Sequence, residues 1–186
     1  MLIGLSGLKG SGKDTVGAYL VKEHGFERRS FADKLKESAA ALFDIEVWQL
    51  EEFKNDSNMF IGIQRDEGVD EWGWRTVREF LQRYGSEAHT DIFGDDFWAD
   101  QVLPVGGFYA GRAIVVTDAR RRSEIDRILT LSGHIVYVDR PALDQKDPHR
   151  TEVEMEYSAR VGYRLKNDRG MMELYDNIEK MLEDLA

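Results

Sequence analysis

Two rhythms of hydrophobic positions run along this chain. Residues 2–6 (LIGLS), 112–118 (RAIVVTD) and 134–139 (HIVYVD) are short apolar runs, the pattern of strands buried on both faces. FERRSF (26–31) and VGYRL (around 161–165) are two further strand candidates. Between them lie stretches with apolar residues at helical spacing. TVGAYLVKEHG (15–25) reads as a helix closed by Gly25, and ADKLKESAAALF (32–43) as one whose Leu35, Ala39 and Leu42 share a face. Further helices are predicted over WRTVREFLQRYG (74–85) with Gly85 as the stop, near DFWADQVL (96–103) before Pro104, and over RSEIDRILTLSG (122–133) closed by Gly133. Thr151 to about Ala159 opens on a capping-box pair, Thr151 with Glu154, and GMMELYDNIEKMLEDL (170–185) is amphipathic. One region breaks the pattern: from about 44 to 77 no period is sustained, which marks an insertion over the sheet edge.

Strands alternating with helices over short loops indicate an α/β fold, a parallel sheet of about five strands with helices on both faces. A length of 186 residues suits one domain, here with an insertion at about 33–100 and a short lid at about 140–152. No window reaches the apolar length of a membrane span, and MLIGLSGLKG lacks the basic flank and long apolar core of a signal peptide, so a cytoplasmic protein is expected. The absence of cysteine removes disulfides, thiolate nucleophiles and cysteine zinc sites. A formal net charge of −10 disfavours a broad nucleic-acid face, whereas a local convergence of the 25 basic residues can still hold a small anion.

The chemistry begins at GLKGSGKDT (7–15). Gly7, Gly12 and Lys13 match G-x-x-x-x-G-K between a strand and a helix, the context that makes this phosphate-loop motif specific and predicts a three-layer P-loop NTPase fold. Glycines let the N–H groups of residues 9–15 face one point at a helix N-terminus, and Lys13 spans the β- and γ-phosphates. Lys9, Gly10, Ser11, Gly12, Lys13, Asp14 and Thr15 are therefore the candidate ATP ligands; a glycine-rich turn with a surface lysine is the plainer alternative. Asp14 stands where a hydroxyl usually meets Mg²⁺, and Thr15 supplies the hydroxyl one residue later. Two readings of Asp14 stay open: a carboxylate stabilised by the helix dipole, or a group that holds Lys13 or a metal-bound water.

Asp118 ends the strand 112–118 at the carboxyl edge of the sheet, where an acid orients Mg²⁺ or its water; capping the following helix is the alternative. Phosphoryl transfer between two phosphates needs cations on the migrating group more than a base. Arg140 and Arg150 bracket the polar stretch RPALDQKDPHR, which suggests a lid. Arg78 and Gln82, four apart on one helical face, and Glu87 past Gly85 form a set suited to a nucleoside monophosphate. Trp48, Trp72, Trp74 and Trp98 offer either a stacking surface or core.

GKDT, FADKLK, REFLQRYGSE, DDFW, VVTDARRRSE, VDRP, HRTE and NDRG occur in the order and spacing of bacteriophage-type deoxynucleoside monophosphate kinases, which the chain resembles over essentially its whole length. The resemblance implies transfer of the γ-phosphoryl of ATP, with Mg²⁺, to a deoxynucleoside 5′-monophosphate, supplying DNA precursors. It favours Arg120 among the three consecutive arginines, Lys36 as a phosphate ligand beside Asp33, Arg150 in the lid, and Asn167 near the donor adenine. The family pattern continues with an arginine a few residues after the glutamate at 87, where this chain has Ala88, His89 and Thr90, so that contact is not carried over. Competing readings are a P-loop kinase of phosphomevalonate or dephospho-coenzyme A, and an ATP-binding regulator without chemistry. A monomer or homodimer is expected, with no nucleic-acid polymer or membrane as partner.

Overall fold

The computed structural model describes residues 1–56, 59–61, 75–107, 109, 111–141, 143 and 160–186. The chain divides into two compact units, Met1–Phe31 with Ala99–Ala186, and Ala32–Trp98.

The first unit is built on five parallel strands: β1 (Leu2–Ser6), β2 (Glu27–Arg29), β5 (Ile114–Val116), β6 (His134–Asp139) and β7 (Tyr163–Lys166), in the spatial order β2-β5-β1-β6-β7. Alternation along the strands sorts side chains to the two faces. Ile3, Leu5, Val115, Val136 and Val138 join one core cluster, with Val16 and Leu20 of α1 (Lys13–His24) and Leu174, Ile178 and Met181 of α8 (Met171–Leu185). Leu2, Ile114, Val116 and Ile135 turn the other way, onto Ile125 and Ile128 of α7 (Arg122–Thr130). Both faces of the sheet are therefore covered, as the apolar strand runs require. Gly4 of β1 has no Cβ because one would run into Ile128 Cδ1, which lets α7 sit close on the strand. Arg127 is buried on α7 and donates to Leu103 O at 2.7 Å and to Asp100 at 2.6 Å, tying that helix to the end of α6 (Phe97–Val102).

Several expectations are met closely. Gly25 ends α1 in the left-handed conformation (φ 66°), its N–H reaching the last carbonyls. Others shift. FERRSF pairs only over Glu27–Arg29, because Phe31 already opens α2 (Phe31–Leu42). α7 is closed by Ser132, at φ 58°, rather than by Gly133: Ser132 N–H reaches Leu129 O and Gly133 N–H reaches Ile128 O, the paired bonds of a Schellman end. Gly133 is required for another reason, since a Cβ there would lie 2.8 Å from Leu2 Cγ.

The second unit is helical. The stretch without a sustained period contains α3 (Val47–Asn55), whose Val47, Leu50 and Phe53 pack with Ala39, Ala40, Val77 and Leu81. A short antiparallel pair, β3 (Phe60–Ile61) with β4 (Arg75–Thr76), leads into α4 (Val77–Gly85), which starts on a capping box between Thr76 and Glu79. Gly85 does not stop this helix. It is helical (φ −72°), and the chain continues through a π-helical turn, Ser86–Thr90, and α5 (Asp91–Phe93) to Gly94, whose φ of 98° ends it. The wider turn leaves Gly85 O to be satisfied by side chains, and it accepts from Thr90 Oγ1 at 2.8 Å and Trp98 Nε1 at 2.9 Å. Trp98 is thus core, and Trp48 is 65% exposed. Trp72, Trp74 and the helix expected at Thr151–Ala159 lie outside the described residues. No described helix is long and apolar enough to cross a membrane.

Candidate active site

The loop between β1 and α1 bends at Gly7, Gly10 and Gly12, with φ of 136°, 82° and 105°, a backbone region that L side chains seldom enter. Space enforces glycine as well: a Cβ on Gly7 would meet Val138 O at 2.6 Å, and one on Gly12 would run into Asn167 Nδ2. Lys13, only 7% exposed, folds its ammonium over the loop and donates to Gly7 O (2.8 Å) and Leu8 O (2.7 Å). Gly12 takes the N-cap position of α1 without offering a side-chain acceptor to the first-turn amides. One amide of the expected 9–15 set is otherwise engaged, Ser11 N–H donating to Leu8 O at 3.1 Å. Ser11 Oγ is buried with no hydrogen-bond partner among the described residues. Asp14 is exposed at the second position of the helix, Thr15 half-buried at the third, and Lys9 exposed on the loop.

Two strand ends converge on this loop. Asn167, just past β7, donates its side-chain N–H to Ser11 O at 2.7 Å, while its own amide reaches Asp139 O at 2.7 Å. It therefore braces the glycine loop rather than capping α8, whose N-cap Gly170 makes no side-chain bond. Arg140, just past β6 and exposed, donates to Gly10 O at 3.0 Å. Arg150 and most of the expected lid lie outside the described residues.

The turn after β5 carries Asp118 and Arg120. Asp118 accepts from Ser30 Oγ and from Phe31 N–H, both at 2.8 Å, so it caps the start of α2 and not the helix that follows it in sequence. Arg120, Arg121 and Arg122 are exposed, and Arg122 leans toward Asp126 at 3.5 Å. Sequence reasoning assigns nothing to Glu124, yet among the described residues it is a strongly perturbed acid. Burial pushes its carboxyl up to about 7 against the two backbone N–H groups, of Arg121 and Arg120, that favour the charged form. The signal that could have found it is a glutamate at the third position of a helix, the reaching-back half of a capping box.

In the second unit, Lys36 is largely covered: its ammonium is 2.6 Å from Glu51 and 3.9 Å from Asp33. Burial acts to raise the Glu51 carboxyl, but hydrogen bonds from Lys36 and Lys54 outweigh it and hold the group below its ordinary value. Arg78 and Gln82 are exposed on α4, and Glu87 is bound by Arg83 through both carboxylate oxygens, at 2.9 and 2.8 Å from Nε. His89 Nδ1 lies 2.6 Å from Tyr84 O; a carbonyl can only accept, so Nδ1 carries the proton.

The residues around the loop fit a nucleotide phosphate: three left-handed glycines form a cradle, a buried ammonium crosses it, and the helix start behind it has amides without a side-chain cap. No cluster of three or more histidine or acidic side chains that could hold a metal occurs among the described residues. A Mg²⁺ ion carried in on nucleotide phosphates would find the Thr15 hydroxyl at the third position of α1.

Fold and loop together define a P-loop NTPase type of α/β protein. Shikimate kinase from Acinetobacter baumannii, solved in complex with shikimate, superposes with a TM-score of 0.52 at 13% identity, over 99% of this chain and 92% of that one, which shows the fold alone. A dephospho-CoA kinase from Campylobacter jejuni, at 12% identity, a TM-score of 0.48 and coverage of 99% and 96%, is too slight a likeness to bear on the acceptor. Residues 67–178 match the model of the deoxynucleotide monophosphate kinase family. A putative deoxynucleotide monophosphate kinase of Acanthamoeba polyphaga mimivirus is 30% identical over 192 aligned positions, 100% of this chain and 98% of the relative. The chain belongs to the deoxynucleotide monophosphate kinase family.

Proposed function

We propose that this protein transfers the γ-phosphoryl group of ATP to a deoxynucleoside 5′-monophosphate, giving ADP and the deoxynucleoside diphosphate and so supplying DNA precursors. The observation that carries the reading is the glycine cradle crossed by Lys13 and braced by Asn167, in a chain of this family. An oxygen of the acceptor phosphate bonds to the γ-phosphorus as the bond to the β–γ bridging oxygen breaks. ATP supplies the phosphoryl group, and Mg²⁺, when bound with it, would supply positive charge to the donor phosphates.

The chain supplies position and charge. Lys13 leaves its two loop carbonyls for the β- and γ-phosphate oxygens, and the first-turn amides of α1 receive the donor tail. Thr15 and Asp118, the latter fixed at the start of α2 by Ser30 and Phe31, are the residues that would hold Mg²⁺ or its water. Arg120, Arg140 and Arg150 stabilise the migrating group, and Asn167 borders the donor. Asp33, Lys36, Arg78, Gln82 and Glu87 of the second unit, the acceptor-binding insertion in this reading, recognise the monophosphate. The acceptor is already an anion at its phosphate, so no general base is assigned.

A coupled ADP-production assay over deoxynucleoside monophosphates, ribonucleoside monophosphates, dephospho-coenzyme A and phosphomevalonate tests this. Turnover of at least one deoxynucleoside monophosphate, in preference to the two unrelated acceptors, is expected. Turnover confined to another acceptor, or none at all, would refute it.

A further inference from the structure

Among the described residues, the turn from Thr117 to Arg121 is held at nearly every backbone position. Thr117 N–H donates to Arg29 O and Ala119 N–H to Leu5 O, each at 3.1 Å, so the turn continues the pairing of β5 with both neighbouring strands. Asp118 spends one carboxylate oxygen on Phe31 N–H and the other on Ser30 Oγ. The last two amides, Arg120 N–H and Arg121 N–H, both donate to a single oxygen, Glu124 Oε2, at 2.8 and 2.9 Å.

That final arrangement is the costly one. Amides at a helix start are usually satisfied by water or by a serine, threonine or aspartate at the cap. Here a glutamate only 9% exposed reaches back from the third position of α7 to the amides of the cap residue itself, Arg121, and of Arg120 before it, which no cap side chain serves. A buried carboxylate is disfavoured by desolvation, and charge-assisted N–H bonds offset only part of it. What the fold obtains is a backbone direction: Ala119 fully buried, Arg120 exposed immediately after it.

We infer that Glu124 is a positioning residue for phosphoryl transfer: by holding the Arg120 and Arg121 amides it fixes the direction in which the Arg120 side chain leaves the sheet edge, and so how its guanidinium meets the migrating group. The inference rests on the kinase reading above. It assigns Glu124 no contact with substrate.

The test compares wild type, Glu124→Gln, Glu124→Ala, Arg120→Ala and the double variant Glu124→Ala with Arg120→Ala, measuring kcat, both KM values and amide hydrogen exchange at residues 120 and 121. Glu124→Ala should lower kcat about 10- to 100-fold, since a misplacement of about 1 Å has that scale of effect. Its KM values should move less than about threefold, and exchange at both amides should rise at least about tenfold. Glu124→Gln keeps one acceptor oxygen and the volume, so it should fall between wild type and Glu124→Ala in both readouts; it also carries the comparison should the alanine variant misfold. In the Arg120→Ala background, Glu124→Ala should change kcat by less than about twofold, because residues acting through one another are non-additive. Three results would overturn the inference: unchanged exchange, raised exchange with unchanged kcat, or an equal loss of kcat in the Arg120→Ala background. A wild type that turns over no acceptor instead removes the kinase reading itself, and does so before any variant is made.

Discussion

The sheet unit and the helical unit solve the problem of placing charge by opposite means. At the sheet edge, backbone does the placing: the glycine loop, the amides of residues 117, 119, 120 and 121 and the ends of β6 and β7 are fixed by strand register and by bonds to carbonyl and carboxylate oxygens. In the helical unit the candidate groups are side chains held by other side chains. Lys36 lies against Glu51, which Lys54 also reaches at 2.9 Å, and Arg83 grips Glu87. Backbone placement is stiff and independent of salt; ion pairs between half-exposed groups are worth little each and can be exchanged for a ligand at small cost. In the proposed reading, where the sheet unit takes the donor and the helical unit the acceptor, that difference suits an enzyme that handles one triphosphate and must release a phosphorylated product.

The strongest way to break the comparison is at the loop. Lys13→Ala should lower kcat/KM by about a thousandfold or more, through loss of the cation that follows the charge in the transition state. Its circular dichroism and melting temperature should stay close to wild type, because the side chain contributes no apolar core. Retention of more than about a tenth of the activity would mean that the loop is not the donor site.

Next in size is a pH effect confined to the sheet unit. The Glu124 carboxyl titrates near 7 in the fold against an ordinary value of 4.5, so between these values the folded protein binds a proton that the unfolded chain has released. Stability from this group is therefore present below about pH 4.5 and lost as pH rises through about 7, a change on the order of 3 kcal/mol at about 1.4 kcal/mol per unit. Urea unfolding of wild type minus Glu124→Gln, from pH 5 to 8, should show this slope. Glutamine cannot titrate, so equal slopes in the two proteins would show that Glu124 is ionised at little cost.

For the helical unit the expected effect is smaller and of another kind. Lys36→Ala should raise the KM of the acceptor about tenfold while the KM of ATP holds within about twofold, the signature of lost ground-state binding. Unchanged acceptor KM with lowered stability would make Lys36 a structural partner of Glu51 and nothing more.

How much of this is legible in the sequence follows the same division. The glycine loop, α1 and its Gly25 end, β6 and the order of elements are written in adjacent residues, and reading them needs only local rules. Partners far apart in sequence decide the rest. α3 escapes a local reading because its core side, Val47, Leu50 and Phe53, is three residues among acids and amides, and it becomes apolar only against Ala39, Val77 and Leu81. Gly85 looks like a stop, but Thr90 and Trp98 supply the donors that let the helix widen and continue. Asp118 looks like a strand end or a cap for the next helix, and its actual partners, Ser30 and Phe31, lie 88 and 87 residues earlier. Glu124 carries an ordinary capping signal whose importance comes from burial, which no local pattern states.

The end of α7 gives the smallest and cleanest test that backbone geometry governs the sheet unit. Ser132 sits at φ 58°, the left-handed position of a Schellman end, where a Cβ crowds the following carbonyl at a cost of roughly 1–2 kcal/mol. Glycine removes that strain but adds freedom to the unfolded chain, which takes back roughly 0.4–1 kcal/mol. Ser132→Gly should therefore stabilise the protein by somewhat less than about 1 kcal/mol, a rise in melting temperature below roughly 4 °C, with kcat and both KM values unaltered. The converse substitution one residue on should hurt. Gly133→Ala would bring a Cβ to 2.8 Å from both Leu2 Cγ and Ile128 Cγ2 and 2.9 Å from Ile128 O, so it should destabilise although φ at that position is unexceptional. If instead Gly133→Ala proved neutral and Ser132→Gly destabilising, neither the left-handed strain at 132 nor the close packing at 133 would govern this end of α7.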